Sequence, residues 1–266
     1  MITAAALCPW PPLLVRELTG ADPVLPELRD ACAAAVAALL AGDADLVAVV
    51  APGPATTTWP ANGRLNVAAF GGLPRPRSEP ADPVSGIGSR EPGDAVSDIC
   101  SLPPGAGVRD GRPALPPAAG MGAYLLDQAA YRGPRVIWTV GEDETPAGCR
   151  KLGAELAATG QRTALLALGD GSARRGPKAP GAFDGRAAGF DAEVERAVRA
   201  ADLDALLAVD PALARDLMAT GRPAWQVLAG ALADAGPAST GPAAHIHYAG
   251  DPFGVSYLVA SFGPAS

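Results

Sequence analysis

Leu46-Val47-Ala48-Val49-Val50-Ala51-Pro52-Gly53 is an unbroken apolar, largely β-branched run closed by proline and glycine. It lacks the polar/apolar alternation of a strand with one wet face, so it predicts a central strand covered on both sides. Upstream, Leu25, Leu28, Cys32, Ala35, Val36 and Leu39 recur at helical spacing between Val24 and Ala41, and Ile2 to Cys8 is a second apolar run stopped by Pro9. Strand, helix, strand makes one βαβ unit, which seeds a layered sheet.

Downstream, Asn66 to Phe70 reads as a further strand, and residues 71–117 form a long Pro/Gly-rich insertion with little periodicity. A stretch of that length inside one domain is expected to contain a short strand or to wrap the surface near a pocket. The alternation then resumes with a helix over Ala118–Tyr131, a strand over Arg135–Val140, a helix over Pro146–Ala158 and a strand over Thr163–Leu168. Helices follow at Phe190–Ala200, Asp204–Ala208, Pro211–Ala219 and Pro223–Ala233, then strands at Ala244–Tyr248 and Val255–Phe262. The pattern predicts a single three-layer α/β/α domain with a mixed central sheet over residues 1–266.

Composition narrows the function classes. With 48% hydrophobic and 18% charged residues, and no apolar run of about 18 residues, the chain reads as soluble, without a membrane span. The segment Met1–Val15 has no basic n-region and is interrupted by Pro9, Pro11 and Pro12, so a cytoplasmic location is expected. Cys8, Cys32, Cys100 and Cys149 are scattered without C-x-x-C spacing, the mark of reduced thiols rather than of a zinc site or a disulfide framework. A net charge of -7 argues against nucleic acid and anionic membrane as partners, and the small Arg174, Arg175, Lys178 cluster reads as a solvated loop. A small molecule or another protein remains as the partner class.

In an open α/β sheet, ligands gather beyond the carboxyl ends of the strands. Conspicuous loops follow four strands there: Cys8-Pro9-Trp10-Pro11-Pro12, Ala51-Pro52-Gly53-Pro54, Gly169-Asp170-Gly171-Ser172-Ala173-Arg174, and Tyr248 to Gly254 with Ala249, Asp251 and Phe253. They are expected to converge on one pocket that includes Cys8, Pro52, Asp170, Ser172, Arg174 and Phe253.

These four segments resemble the class III extradiol dioxygenases, the LigB-like and Memo-like superfamily. The first is similar to that family's C-P-H-P-P-L-L, with Trp10 in the histidine's place, and the second to S-P-H-G, with Gly53 there. The third resembles G-D-L-S-H-R followed by P-x-A-P and Y/F-D, here Pro177-Lys178-Ala179-Pro180 and Phe183-Asp184, with Ala173 replacing the histidine. The fourth resembles Y-E-G-P-F-G-V-G-Y, read here as Tyr248-Ala249-Gly250-Asp251-Pro252-Phe253-Gly254-Val255-Ser256-Tyr257, with the glutamate lost or displaced. The resemblance implies a LigB-like fold, a site for Fe(II) held by two histidines and a glutamate, an additional acid/base histidine, and a tendency to homo-oligomers. Trp10, Gly53 and Ala173 remove those side chains, because an indole N–H only donates and Gly and Ala offer no ligand. The expectation is a metal-free, catalytically inactive relative with no cofactor, whose vestigial positions are Trp10, Gly53, Ala173, Ala249 and Asp251.

Two rivals are kept. His245 and His247, the only histidines, would share a strand face and with Asp251 imitate a two-histidine, one-carboxylate Fe(II) site; their plainer reading is as polar residues on a half-exposed strand. A metal-independent enzyme in the same cleft is the other. Cys8 has no histidine near it in the first three motifs and reads as a structural thiol, and Asp170 with Ser172 reads as a turn whose side chains cap the next segment. Glu142-Asp143-Glu144 before Thr145-Pro146 reads as a helix start. Trp10, Trp59 and Phe253 would give the pocket an aromatic lining.

Overall fold

The computed structural model of the chain describes residues 1–19, 24–70, 111–233 and 242–264. Cys100 and nearly all of the Pro/Gly-rich insertion lie outside these residues. The strands are β1 (Ile2–Cys8), β2 (Leu46–Gly53), β3 (Thr57–Trp59), β4 (Arg64–Leu65), β5 (Ala114–Leu115), β6 (Arg135–Gly141), β7 (Thr163–Leu168), β8 (Pro242–Gly250) and β9 (Tyr257–Pro264). The helices are α1 (Arg16–Thr19), α2 (Pro26–Ala41), α3 (Pro117–Gln128), α4 (Pro146–Ala157), α5 (Ala187–Arg199), α6 (Leu203–Leu207), α7 (Pro211–Asp216) and α8 (Arg222–Ala233).

Seven strands form one sheet in the order β3-β6-β2-β7-β1-β9-β8. β6, β2, β7 and β1 run parallel, while β3, β9 and β8 are antiparallel to their neighbours, so the sheet is mixed as expected. β2 is buried from Leu46 to Pro52 and β7 along its whole length, which is why both read as continuous apolar runs. In β1, Ala5 and Leu7 face one core while Ala4, Ala6 and Cys8 face the other. A register shift between Ile2 and Ala4 puts Ile2 back with Ala5 and Leu7.

Helices α2 and α3 cover one face of the sheet, and α4, α5 and α8 the other. This is the three-layer α/β/α arrangement. The closest helix contact is α4 on α8, where glycine makes the fit: a Cβ on Gly153 would come within 2.3 Å of the Val227 carbonyl oxygen, and one on Gly230 within 2.7 Å of the Arg150 carbonyl oxygen. Thr145 caps α4 by accepting the Gly148 N–H at 3.0 Å, with Pro146 opening the helix, as the Thr-Pro pair predicts.

Some boundaries differ from the expectation. Val67–Phe70 is a 3-10 turn rather than a strand, because the Asn66 side chain accepts the Ala68 N–H and folds the chain into a turn. α2 begins at Pro26, not Val24, since Leu25 adopts the left-handed region at φ 56°. The two-residue strands β4 and β5 and the edge strand β3 carry too little sequence pattern to be read.

Candidate functional site

Parallel pairing puts the carboxyl ends of β1, β2, β6 and β7 at one rim of the sheet, and β8 ends and β9 begins at the same rim. The four expected loops therefore do meet there, but they divide between two cavities. The larger, about 770 Å³, is lined by Trp10, Pro52, Gly53, Thr220 and the Gly141–Glu144 loop among others. The smaller, about 280 Å³, is lined by Gly171, Arg175, Asp191, Trp225, Ala249 and Asp251 among others.

Trp10 is held at both ends. Its main-chain N–H donates to Asp170 Oδ1 at 2.9 Å, and its indole N–H donates to Thr220 Oγ1 at 3.2 Å. Asp170 in turn sits between two main-chain bonds: Gly169 N–H donates to the Cys8 carbonyl, and Gly221 N–H donates to the Asp170 carbonyl. Burial raises the Asp170 carboxyl to about 7, only partly offset by the Trp10 hydrogen bond. Asp170 lines neither cavity; it ties the loop after β1 to the loop after β7 from behind Trp10.

Gly53 stands opposite Gly141 in the β2–β6 register. A Cβ at Gly53 would lie 2.6 Å from the Thr139 Cβ, so no side chain fits there unless Thr139 moves. Thr139 is fixed by its own bonds, donating to the Ala55 carbonyl at 2.8 Å and accepting the Trp59 indole N–H at 2.9 Å. Trp59 thus supports the wall beside Gly53 rather than lining the cleft.

The acidic wall of the cleft is the part that reading the sequence missed. Glu142, Asp143 and Glu144 lie in the turn that leads into the Thr145 cap of α4, and the β2–β6 register also brings them beside Gly53. The buried guanidinium of Arg222 shapes this wall, donating to the main-chain carbonyls of Glu142 and Glu144 and to Gln226 Oε1. Glu144 accepts the Thr56 hydroxyl at 2.9 Å, and Asp143 pairs with Arg215 at 2.6 Å.

The third and fourth loops are joined to each other. Ser256 N–H donates to the Ser172 carbonyl, Gly171 N–H to the Ser256 carbonyl, and Arg175 N–H to the Gly254 carbonyl. Arg175 lies between two carboxylates, 3.0 Å from Asp251 and 3.8 Å from Asp191. Ser172 is fully buried and gives both its N–H and its hydroxyl to Asp191, whose carboxyl is raised by burial despite those bonds. Asp191, the partner of Ser172, has no motif to announce it.

The expectation of one pocket is therefore corrected. Ala173 lines neither cavity: its N–H donates to the Leu217 carbonyl and its carbonyl accepts the Gly181 N–H, which turns it toward α7. Arg174 and Phe253 lie away from both cavities, with Phe253 at φ 60° and 63% exposed. Cys8 is buried on the α2 side of the sheet beside Cys32, whose thiol is pushed well up by the Cys8 hydrogen bond and by burial.

The residues at the rim do not fit Fe(II). A facial site needs three convergent donors. Trp10 and Gly53 supply none, and among the described residues no group of three or more His, Cys, Asp or Glu side chains is placed to hold a metal ion. His245 and His247 do share a face, with ring centroids 4.6 Å apart, and His247 lies 2.9 Å from the Ser261 hydroxyl. Asp251, however, is about 13 Å along the chain from His247 at the rise of an extended strand, and is engaged by Arg175. β8 also lies four strand spacings, roughly 19 Å, from β2, so the histidines do not approach Gly53.

No family model matches the chain, and no curated protein does. In fold it is similar to the crystal structure of an uncharacterised protein from Escherichia coli K12, with a TM-score of 0.53 over 98% of this chain and 100% of that one. The two share 13% sequence identity, so the likeness is one of fold alone.

Proposed function

We propose that the protein is a metal-free, non-catalytic relative of the class III extradiol dioxygenases that keeps the rim cleft as a binding site for a small molecule or a protein segment. The observation that carries this reading is the pairing of Trp10 and Gly53 on one cleft. They occupy two motif positions where the family places histidine, and each is locked into a use incompatible with metal ligation. The Trp10 indole N–H is given to Thr220, and Gly53 is pressed against Thr139. The cleft that remains, about 770 Å³, falls in the size range of small-molecule sites, and Trp10 with Pro52, Pro54, Pro116 and Pro117 gives it rigid apolar surface.

The test is elemental analysis with a catechol ring-cleavage assay on the full chain, before and after anaerobic addition of Fe(II). The expected result is less than about 0.1 equivalent of iron, zinc or copper, and no cleavage in either sample. Stoichiometric iron with cleavage that disappears on changing His245 and His247 to Ala would overturn the reading. A cleft-filling Ala118→Trp variant, compared with the unaltered chain in a fluorescence screen of flat aromatic ligands, should lose whatever binding the unaltered chain has.

A further inference from the structure

The two histidines of the chain, His245 and His247, belong to neither rim cavity. β8 is the outermost strand of the sheet among the described residues, and Ala244 and Ile246 turn one of its faces into the core on the α5 side. His245 and His247 therefore project from the other face. Ser261 of β9 stands opposite His245 in the register, and its hydroxyl lies 2.9 Å from His247 Nε2, so all three side chains share that face.

The two rings are spaced for chelation. Their centroids are 4.6 Å apart, meeting edge to face at 77°. Metal–nitrogen bonds of about 2.0–2.1 Å set the centroids of two imidazoles side by side on one ion roughly 4.5–5.2 Å apart. The main chain thus holds the rings at the separation that a shared ion requires. Ser261 decides how His247 is presented: with Nε2–H donating to the hydroxyl, Nδ1 carries the lone pair, and an outer hydrogen bond of this kind is what orients a ligating imidazole. The His245 ring is exposed and makes no hydrogen bond or ion pair among the described residues, so it is free to turn a nitrogen toward the same point. Asp251 is held by Arg175, which leaves the two imidazoles as the donors.

We propose that His245 and His247 form a two-imidazole site for a borderline transition-metal dication of the nickel(II), copper(II) and zinc(II) group, with water in the remaining positions. Imidazole selects these ions over magnesium and calcium, which take oxygen ligands. The site is independent of the rim cleft. Two donors hold an ion in exchange with the solution, so desalting removes it, and the low metal content expected of the purified chain stands.

The test uses the full chain without an affinity tag, after treatment with EDTA and desalting. Nickel(II), which thiols do not reduce, is titrated by calorimetry, with magnesium(II) as the comparison ion. Nickel(II) should bind at one ion per chain, and magnesium(II) should not bind. His245→Ala and His247→Ala should each weaken nickel(II) at least about tenfold, and Ser261→Ala about tenfold through loss of the outer hydrogen bond. With two histidines in the sequence, the imidazole Cε1–H region of the NMR spectrum holds two signals, and substoichiometric nickel(II) should broaden both. His245 is exposed, so His245→Ala should keep the circular dichroism of the unaltered chain. Absence of nickel(II) binding, unchanged affinity in His247→Ala, or broadening of one signal alone would overturn the proposal. So would one ion per two chains with a dimer in sedimentation velocity, since the ion would then lie between copies rather than on one strand face.

Discussion

At the scale of single residues, the rim is shaped by what Gly53 and Asp170 permit. Placing histidine at Gly53 should fail on steric grounds before any question of metal arises. Its Cβ would meet Thr139 at 2.6 Å, and forcing extra atoms into a packed wall costs typically 1–3 kcal/mol. Gly53→His should therefore lower the unfolding free energy in a urea titration by that amount. The penalty should be smaller when it is introduced into a Thr139→Gly chain, which is itself destabilised by loss of the Trp59 and Ala55 hydrogen bonds. Asp170 governs a pH effect of definite sign. Its folded value of about 7 lies above the ordinary 3.8, so the folded chain holds this proton more tightly than the unfolded one. Its contribution is thus fully present below about pH 4 and is lost as the pH rises through about 7. Asp170→Asn keeps an oxygen for the Trp10 N–H and removes the titration. Relative to that variant, the unaltered chain should lose on the order of 2 kcal/mol of unfolding free energy between pH 4 and pH 8, the partial exposure of Asp170 having been discounted. Equal pH profiles for the two would show that Asp170 is ionised throughout. Trp10, Gly53 and Asp170 were legible as rim residues because each follows an apolar run that ends in proline or glycine. Asp191 and Arg222 were not, since an acid inside a helix and an arginine before a proline look like ordinary surface until the fold buries them.

At the scale of elements, two competing terms can be weighed on α4. Replacing Gly153 by Ala gains up to about 1 kcal/mol of helix propensity. The added methyl would lie 2.3 Å from the Val227 carbonyl oxygen and force α4 and α8 apart, at a cost of roughly 1–3 kcal/mol. Packing should win, and Gly153→Ala should lower the thermal midpoint, whereas Gly189→Ala in α5, where nothing lies within 4 Å, should raise it or leave it unchanged. Arg222 at the start of α8 supports the acidic wall through main-chain carbonyls of Glu142 and Glu144. Arg222→Leu removes charge-assisted hydrogen bonds worth about 1.5–3 kcal/mol each, so hydrogen exchange over the 141–145 loop should quicken more than over β7. The major strands were readable because the sheet buries both faces of β2 and β7, leaving a continuous apolar signal. β3, β4 and β5 were not, because two or three residues contain no period to detect. Nor does any sequence spacing announce that Gly53 and Gly141 face each other across two strands nearly ninety residues apart, which is why the acids after β6 read only as a helix start.

For the molecule as a whole, the sheet order matters more than any one contact. β9 adds Val259, Ala260 and Phe262 to the core and pairs with β1, while among the described residues β8 pairs only with β9. A chain ending at residue 241 would leave one edge of β1 unpaired and its apolar neighbours wet, so it should lose the cooperative unfolding transition in a urea titration. The three-layer class was readable from alternation alone; the position of the C-terminal pair, beside the first strand, was not, since pairing partners are set by burial across the whole sheet. That position has a temporal side. β1 is synthesised long before either neighbour, because its partners begin at Thr163 in β7 and Tyr257 in β9. The Trp10–Asp170 link spans 160 residues in the same way. α2 can cover one face of β1 early, but both pairing edges of the strand stay open until β7 and β9 are made, and closure of such long loops is slow. The central sheet can therefore close around β1 only after β7 and β9 have been made, which leaves β1 an open pairing edge in the interval.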